Sequence, residues 1–175
     1  MNMNSSLAEK IVYAISLVVG EGPAKLHEPQ FSGNEYRYLE ECLESTNVAS
    51  EGRFIPQFES DLAAFTQARH VISVSSGTAA LHIALLLAGV EKNDEVLVPD
   101  LSFIATANAV AYCNAVPHFV DVEDRNFGID APKLQDYLKI HTRQENGVCI
   151  NRATKRRIKV VLPMHAFGHP VNMGE

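Results

Sequence analysis

The spacing of apolar positions changes near residue 69. Before it they recur at helical intervals: Ile11, Ile15, Val18 and Val19 share one face at i, i+4, i+7 and i+8. Ser6-Leu7-Ala8-Glu9 has the form of a capping box, and Gly20 stands where such a helix would close. Further helices are predicted from about Asn34 to Ser45 and from about Phe54 to Gln67. GEGPAKLHEPQFSG, with its Gly, Pro and Ser, connects the first two. After Arg69, short β-branched runs alternate with helix-length segments. VISVS (71–75) precedes a helix at 77–88, and EVLVP (95–99) precedes one at 102–113. VPHFVDV (116–122) precedes a helix that starts near Pro132 behind Asp130 as N-cap, and RIKVVLPM (157–164) is a last strand.

Strands separated by roughly 10–15 helical residues indicate right-handed βαβ units. The expected fold class is therefore α/β, a three-layer, mainly parallel sheet with helices on both faces, preceded by a helical N-terminal segment. The near-continuous apolar character of the strands suits burial on both sides. The expected boundary divides a helical segment, 1–67, from a sheet domain, 68–175.

Composition narrows the classes. A chain of 175 residues with 46% hydrophobic content is globular and long enough for one core. A net charge of −6 argues against nucleic acid as main partner, and no apolar run reaches the length of a membrane span. IVYAISLVV (11–19) has about the length of a signal-peptide core, but its flanks lack a basic cluster and a cleavage pattern, so a cytoplasmic amphipathic helix is expected. Cys42, Cys113 and Cys149 are odd in number and far apart, which indicates reduced thiols rather than a disulfide framework or a metal site. RATKRRIK (152–159) carries five basic residues, yet it lies between two strand-like runs and reads as a solvated turn.

Open sheets of this kind bind ligands beyond the carboxyl ends of their strands. Three such ends follow: Ser75–Thr78, Pro99–Phe103 and Pro163–His169. At the first, Gly77 would let a phosphate oxygen approach the main chain, while Ser76 and Thr78 offer hydroxyls. The same residues also read as an ordinary Ser-capped helix start. At the second, Phe103 is either a core residue or a stacking platform for a flat ligand. At the third, His165 and His169 have helical metal spacing, but Gly168 and Pro170 disfavour the helix and no third ligand follows, so a loop lining the site is expected and no metal.

The series STNVASEGRFIPQFE (45–59), SSGTAALH (75–82), VLVPDLSFIATANAV (96–110), FVDVEDRNFGID (119–130) and VLPMHAFGHPVNM (161–173) closely resembles the DegT-like sugar-nucleotide aminotransferases. These are pyridoxal-phosphate enzymes of the aspartate-aminotransferase fold. The resemblance runs from about His27 with the motifs in the family's order. LHEPQFSGNE and MHAFGHP resemble in particular the branch that aminates UDP-linked 4-keto-6-deoxy sugars in bacillosamine- and legionaminic-acid-type pathways.

That resemblance implies a cofactor, pyridoxal phosphate, with Gly77 and Thr78 at its phosphate, Ser76 adjacent, and Phe103 stacked on its ring. Ser50 and Gly52 would line the substrate entrance, with His165 near the same cleft. The substrates implied are a nucleotide-linked keto sugar and an amino donor, commonly glutamate, in a cytoplasmic homodimer. The family's Schiff-base lysine and pyridine-binding carboxylate belong to motifs downstream of Glu175, and none of the seven lysines here occupies the lysine's context. The expectation is the N-terminal half of an aminotransferase, 68–175 being an incomplete large domain, unable to transaminate alone. The competing expectation is a non-catalytic family member acting as an anion-binding or interaction module.

Overall fold

A computed structural model describes residues 6–20, 22–23, 29–49 and 52–174. Its internal packing divides into two units, Met1–Arg69 and His70–Glu175.

The first unit is helical. Helix α1, Leu7–Val19, begins with the capping box: the Glu9 amide donates to Ser6 Oγ at 3.3 Å, and the Ser6 amide donates to the Glu9 carboxylate at 2.6 Å. Gly20 closes it with φ 81°, its N–H donating to the Ser16 carbonyl. Helices α2, Glu35–Glu44, and α3, Phe54–Thr66, follow, with the Tyr38 and Phe54 rings 5.0 Å apart and Arg53 ion-paired with Glu41. None of the described residues of this unit is buried. The predicted apolar face of α1 therefore exists as a face, but stays exposed, with Val18 86% accessible.

The second unit contains a parallel sheet. Strand β1, Glu95–Pro99, lies between β2, Val116–Val120, and a last strand, Ile158–Val161, in the order β2–β1–last strand. Helix α4, Gly77–Leu87, leads into β1, helix α5, Ile104–Tyr112, links β1 to β2, and helix α6, Ala131–His141, follows β2. Asp130 caps α6 by accepting the Lys133 amide at 3.0 Å. A separate antiparallel hairpin pairs β3, Thr142–Glu145, with β4, Val148–Asn151, so the last strand of the parallel sheet is β5.

Alternation along β1 produces the layers, because successive side chains leave a strand on opposite faces. Val96 and Val98 join Leu85, Ala109, Val110 and Cys113, so α4 and α5 cover that face. Leu97 points the other way, into a cluster with Val120, Ile129 and the α6 residues Leu134 and Leu138. All five residues of β1 are buried, as an all-parallel strand covered on both faces requires.

Two expectations are corrected and one element is added. VISVS (71–75) forms no strand, and Ile72 is 82% exposed. RIKVVLPM forms a strand only over Ile158–Val161, alongside the short β1, with an isolated antiparallel bridge from Arg157 to Ile150. The hairpin β3–β4 was not expected: Asn146 and Gly147 turn it with φ 52° and 78°, the left-handed pair of a type I′ turn.

The amino end of the sheet is closed by polar contacts. Glu95, 2% exposed, accepts from Asn151 Nδ2 at 2.8 Å and from Thr154 Oγ at 2.5 Å, and its carboxylate lies 2.9 Å from His118 Nδ1. His118 Nε2 lies 3.0 Å from the Tyr137 hydroxyl. Burial raises the Glu95 carboxyl pKa, but the hydrogen bonds from Thr154, Asn151 and His118 outweigh it and hold the group below its ordinary value. Nearby, Arg157 makes a two-pronged contact to Asp94, at 2.8 and 2.6 Å.

Candidate functional site at the strand ends

The carboxyl end of the sheet is built differently. Helix α4 ends at Leu87 and the chain turns into β1, so the helix runs antiparallel to the strand and its N-terminus lies at the strand's carboxyl end. Helix α5 leaves that same end, and β5, parallel to β1, delivers residues 162–169 there. Topology alone thus gathers Ser76, Gly77, Thr78, Phe103 and His165 at one end of the sheet.

Ser76 is the N-cap of α4, its Oγ accepting the Ala79 amide at 3.2 Å, and the Ala80 amide closes on the Ser76 carbonyl at 3.0 Å. The amides of Gly77 and Thr78 precede the helical ladder, and a Cβ built on Gly77 would meet nothing within 4 Å. The capped-helix and anion-site readings are therefore compatible. The capping lone pair leaves the Ser76 hydroxyl proton available, and the helix end supplies amides and about half a positive charge.

Phe103 is the N-cap of α5, one residue before the first turn in which it was expected, and the residue is 69% exposed. It is not a core residue. Ser102 beside it reaches Thr106 Oγ at 2.7 Å and the Met164 thioether at 3.1 Å.

At the third strand end, His165 is exposed and its Nδ1 accepts the Val171 amide at 3.0 Å, which places the neutral ring's proton on Nε2, free to donate. A 3-10 turn, Ala166–Gly168, separates it from His169. Phe167, with φ 52°, and Phe127, with φ 59°, stand edge to face, 6.2 Å between centroids. Gly128, beside Phe127, packs so closely on this loop that an added Cβ would lie 2.5 Å from Val171 Cγ2.

Gly52 belongs to the other unit, where its amide closes a turn on the Ala49 carbonyl at 3.2 Å just before α3. Ser50 lies outside the described residues. Met164, Ser102 and the Phe127–Phe167 pair were not singled out from sequence. Phe167 carried one signal, an aromatic directly before a glycine at a strand end, whereas the Ser102–Met164 contact spans 62 positions.

Among the described lysines of this unit, Lys133 is tied to Asp121 at 2.7 Å and to Asp130 at 3.3 Å. Lys139 pairs with Asp136, and Lys155 donates to the Arg152 carbonyl. The contact with Lys133 holds the Asp121 carboxyl below its ordinary value. RATKRRIK is a turn built into the closed end of the sheet, with Thr154 bound to Glu95 and Arg157 to Asp94.

A parallel α/β sheet with a capped helix N-terminus and an exposed aromatic residue at its carboxyl end has the arrangement in which open α/β sheets take ligands beyond their strand ends. Residues 29–175 match the DegT/DnrJ/EryC1/StrS aminotransferase family, and the chain belongs to it. It is 38% identical to GDP-perosamine synthase of Caulobacter vibrioides over 83% of this chain and 35% of that one. Among solved structures it resembles 3-amino-5-hydroxybenzoic acid synthase at 28% identity and TM-score 0.68, covering 87% of this chain and 36% of the other. It also resembles Spr1654 of Streptococcus pneumoniae in its PLP form, at 25% identity and TM-score 0.58, covering 66% and 29%. The chain thus spans about a third of the length of these relatives. The family consists of pyridoxal-phosphate-dependent sugar aminotransferases.

Proposed function

We propose that this chain supplies the phosphate-and-ring half of the cofactor site in an aminotransferase acting on a nucleotide-linked keto sugar, with glutamate as amino donor. One observation carries the reading: the open N-terminus of α4 and the exposed ring of Phe103 stand at the same end of one sheet. A phosphate fits there without a cationic side chain, because Gly77 leaves its approach unobstructed and the helix end is electropositive.

The Gly77 and Thr78 amides hold the phosphate, the Ser76 and Thr78 hydroxyls donate to it, and the Phe103 face receives the ring. His165 keeps an Nε2 proton to donate toward bound sugar or cofactor. Ser50 and Gly52 belong to the substrate entrance. Bound pyridoxal phosphate supplies the electron sink for amino transfer. Lys133, Lys139 and Lys155 are engaged by other groups and Lys159 lies against Gly89, so the lysine that holds the aldehyde is assigned elsewhere. A cytoplasmic homodimer is the working assembly by analogy with the family.

A purely anion-binding role would use the α4 N-terminus but leave the exposed Phe103 ring without a purpose, which favours the cofactor reading. Titration with pyridoxal 5′-phosphate, competed by inorganic phosphate, tests the cup; 2-oxoglutarate release from glutamate with UDP- and GDP-linked keto sugars tests the substrate class. For residues 1–175 alone the expectation is phosphate-competed binding without a borohydride-trapped lysine adduct. A trapped adduct on any lysine of this chain would overturn the assignment of that lysine elsewhere.

A further inference from the structure

We infer that Met164 positions Phe103 for the cofactor ring through hydrogen bonds to its thioether sulfur. This rests on the stacking role proposed for Phe103. Phe103 occupies the N-cap of α5 but has no side-chain oxygen with which to hold that end, and its exposed ring is not fixed by packing. The contact that holds its backbone comes from the end of β5. Met164 Sδ lies 3.4 Å from the Phe103 amide nitrogen and 3.1 Å from Ser102 Oγ, so two successive residues donate to one sulfur.

Ser102 has a single hydroxyl proton, so when it donates to the sulfur the 2.7 Å contact with Thr106 Oγ is completed by the Thr106 proton, and Thr106 is buried on α5. Sulfur therefore links the end of one strand to the first turn of the helix that leaves the neighbouring strand. The ring departs from the Cα next to the anchored N–H, so fixing that amide fixes the direction from which the ring is presented. A thioether is a weak acceptor, but it is carried on an unbranched side chain that can reach between the two strand ends, and here it receives two donors. Met164 immediately precedes His165 in sequence, and its contact is made at the N-cap of α5, the position that carries Phe103.

The test replaces the acceptor while keeping the volume. Met164→Leu removes the sulfur, and Met164→Gln returns an acceptor on an unbranched chain. In the protein without cofactor, the Phe103 amide is followed by hydrogen exchange; with pyridoxal 5′-phosphate, affinity and the visible circular dichroism of the bound cofactor are measured. Met164→Leu is expected to speed exchange of the Phe103 amide by about tenfold and to weaken cofactor binding by about three- to tenfold, the scale of one or two weak hydrogen bonds, without lowering the melting temperature. Met164→Gln is expected to recover most of both.

Phe103→Ala separates this inference from the reading beneath it. If Phe103→Ala weakens binding but Met164→Leu changes neither exchange nor the dichroism, the positioning role is wrong and stacking survives. If Phe103→Ala leaves binding unchanged, stacking is wrong and the positioning role falls with it. Equal losses of melting temperature in the Leu and Gln variants would reduce Met164 to a packing residue and overturn the inference.

Discussion

Strand β1 has two ends only four positions apart in sequence, Glu95 and Pro99, and they treat polar groups in opposite ways. At the amino end the Glu95 carboxylate is buried and bound by His118, Asn151 and Thr154 from three other segments. At the carboxyl end Ser76, Gly77 and Phe103 are exposed, and the foremost amides of α4 are left open. A buried polar group must find its partners within the protein, whereas a binding site keeps polar groups ready for a ligand. The amino end therefore holds the fold together, and the carboxyl end is the one to which we assign the proposed ligand chemistry.

The sharpest way to break that contrast is to attack the closed end. Glu95→Ala leaves His118, Asn151 and Thr154 facing a buried gap and is expected to cost about 3–5 kcal/mol or to prevent folding of the sheet unit. Glu95→Gln, which keeps the volume and one acceptor, is expected to cost less. Urea denaturation followed by circular dichroism checks both; a loss below about 1 kcal/mol for the alanine variant would show that the network contributes little.

One point at the open end is expected to behave like the closed one. Gly128 is buried, and an added Cβ would sit 2.5 Å from Val171 Cγ2 and 2.8 Å from Asn126 Oδ1. Gly128→Ala is expected to cost about 1–3 kcal/mol by overpacking and to displace the loop that carries His165. Paired measurement of stability and of pyridoxal phosphate affinity distinguishes that result from a purely local adjustment, which would leave binding unchanged.

Acid provides a gentler probe of the same asymmetry. The carboxyls of Glu95 and Asp94 both have folded pKa values below their ordinary ones; in each case burial raises the value and hydrogen bonds, to Asp94 from Arg157, more than offset it. Their contribution is therefore fully present above the unfolded values, about 3.9 for Asp and 4.3 for Glu, and is lost as pH falls through the lower folded values. Stability is expected to fall below about pH 4, and Glu95→Gln is expected to flatten that fall. An unchanged acid profile in the variant would assign acid loss to other carboxylates.

The open end was the more legible of the two in sequence. Ser-Gly-Thr between an extended run and an apolar helix marks a helix start whatever it binds, and EVLVP is a buried strand by composition alone. The closed end depends on partners 23, 56 and 59 residues from Glu95, which no local pattern reveals. VISVS misled because β-branched composition favours extension, but composition alone does not make a strand. Hairpin β3–β4 was missed for the opposite reason: Asn146-Gly147 is a strong turn signal, but TRQE has no apolar alternation to attract notice. Phe103 reads as core by residue type, and only its accessibility shows that the ring is free.

The smallest expected change in stability belongs to Phe103, and it tests the contrast from the ligand's side. A residue that is 69% exposed contributes little to the core, so Phe103→Ala is expected to change stability by no more than about 0.5 kcal/mol. The same substitution removes the stacking surface, so pyridoxal phosphate affinity is expected to fall by about tenfold, in the range of an aromatic contact. Inorganic phosphate, held at α4 without the ring, is expected to bind the variant as it binds the parent. That separation of ring from phosphate is the outcome the strand-end geometry requires. Loss of stability with no loss of cofactor affinity would instead make Phe103 a structural residue at an end of the sheet that had been assigned to binding.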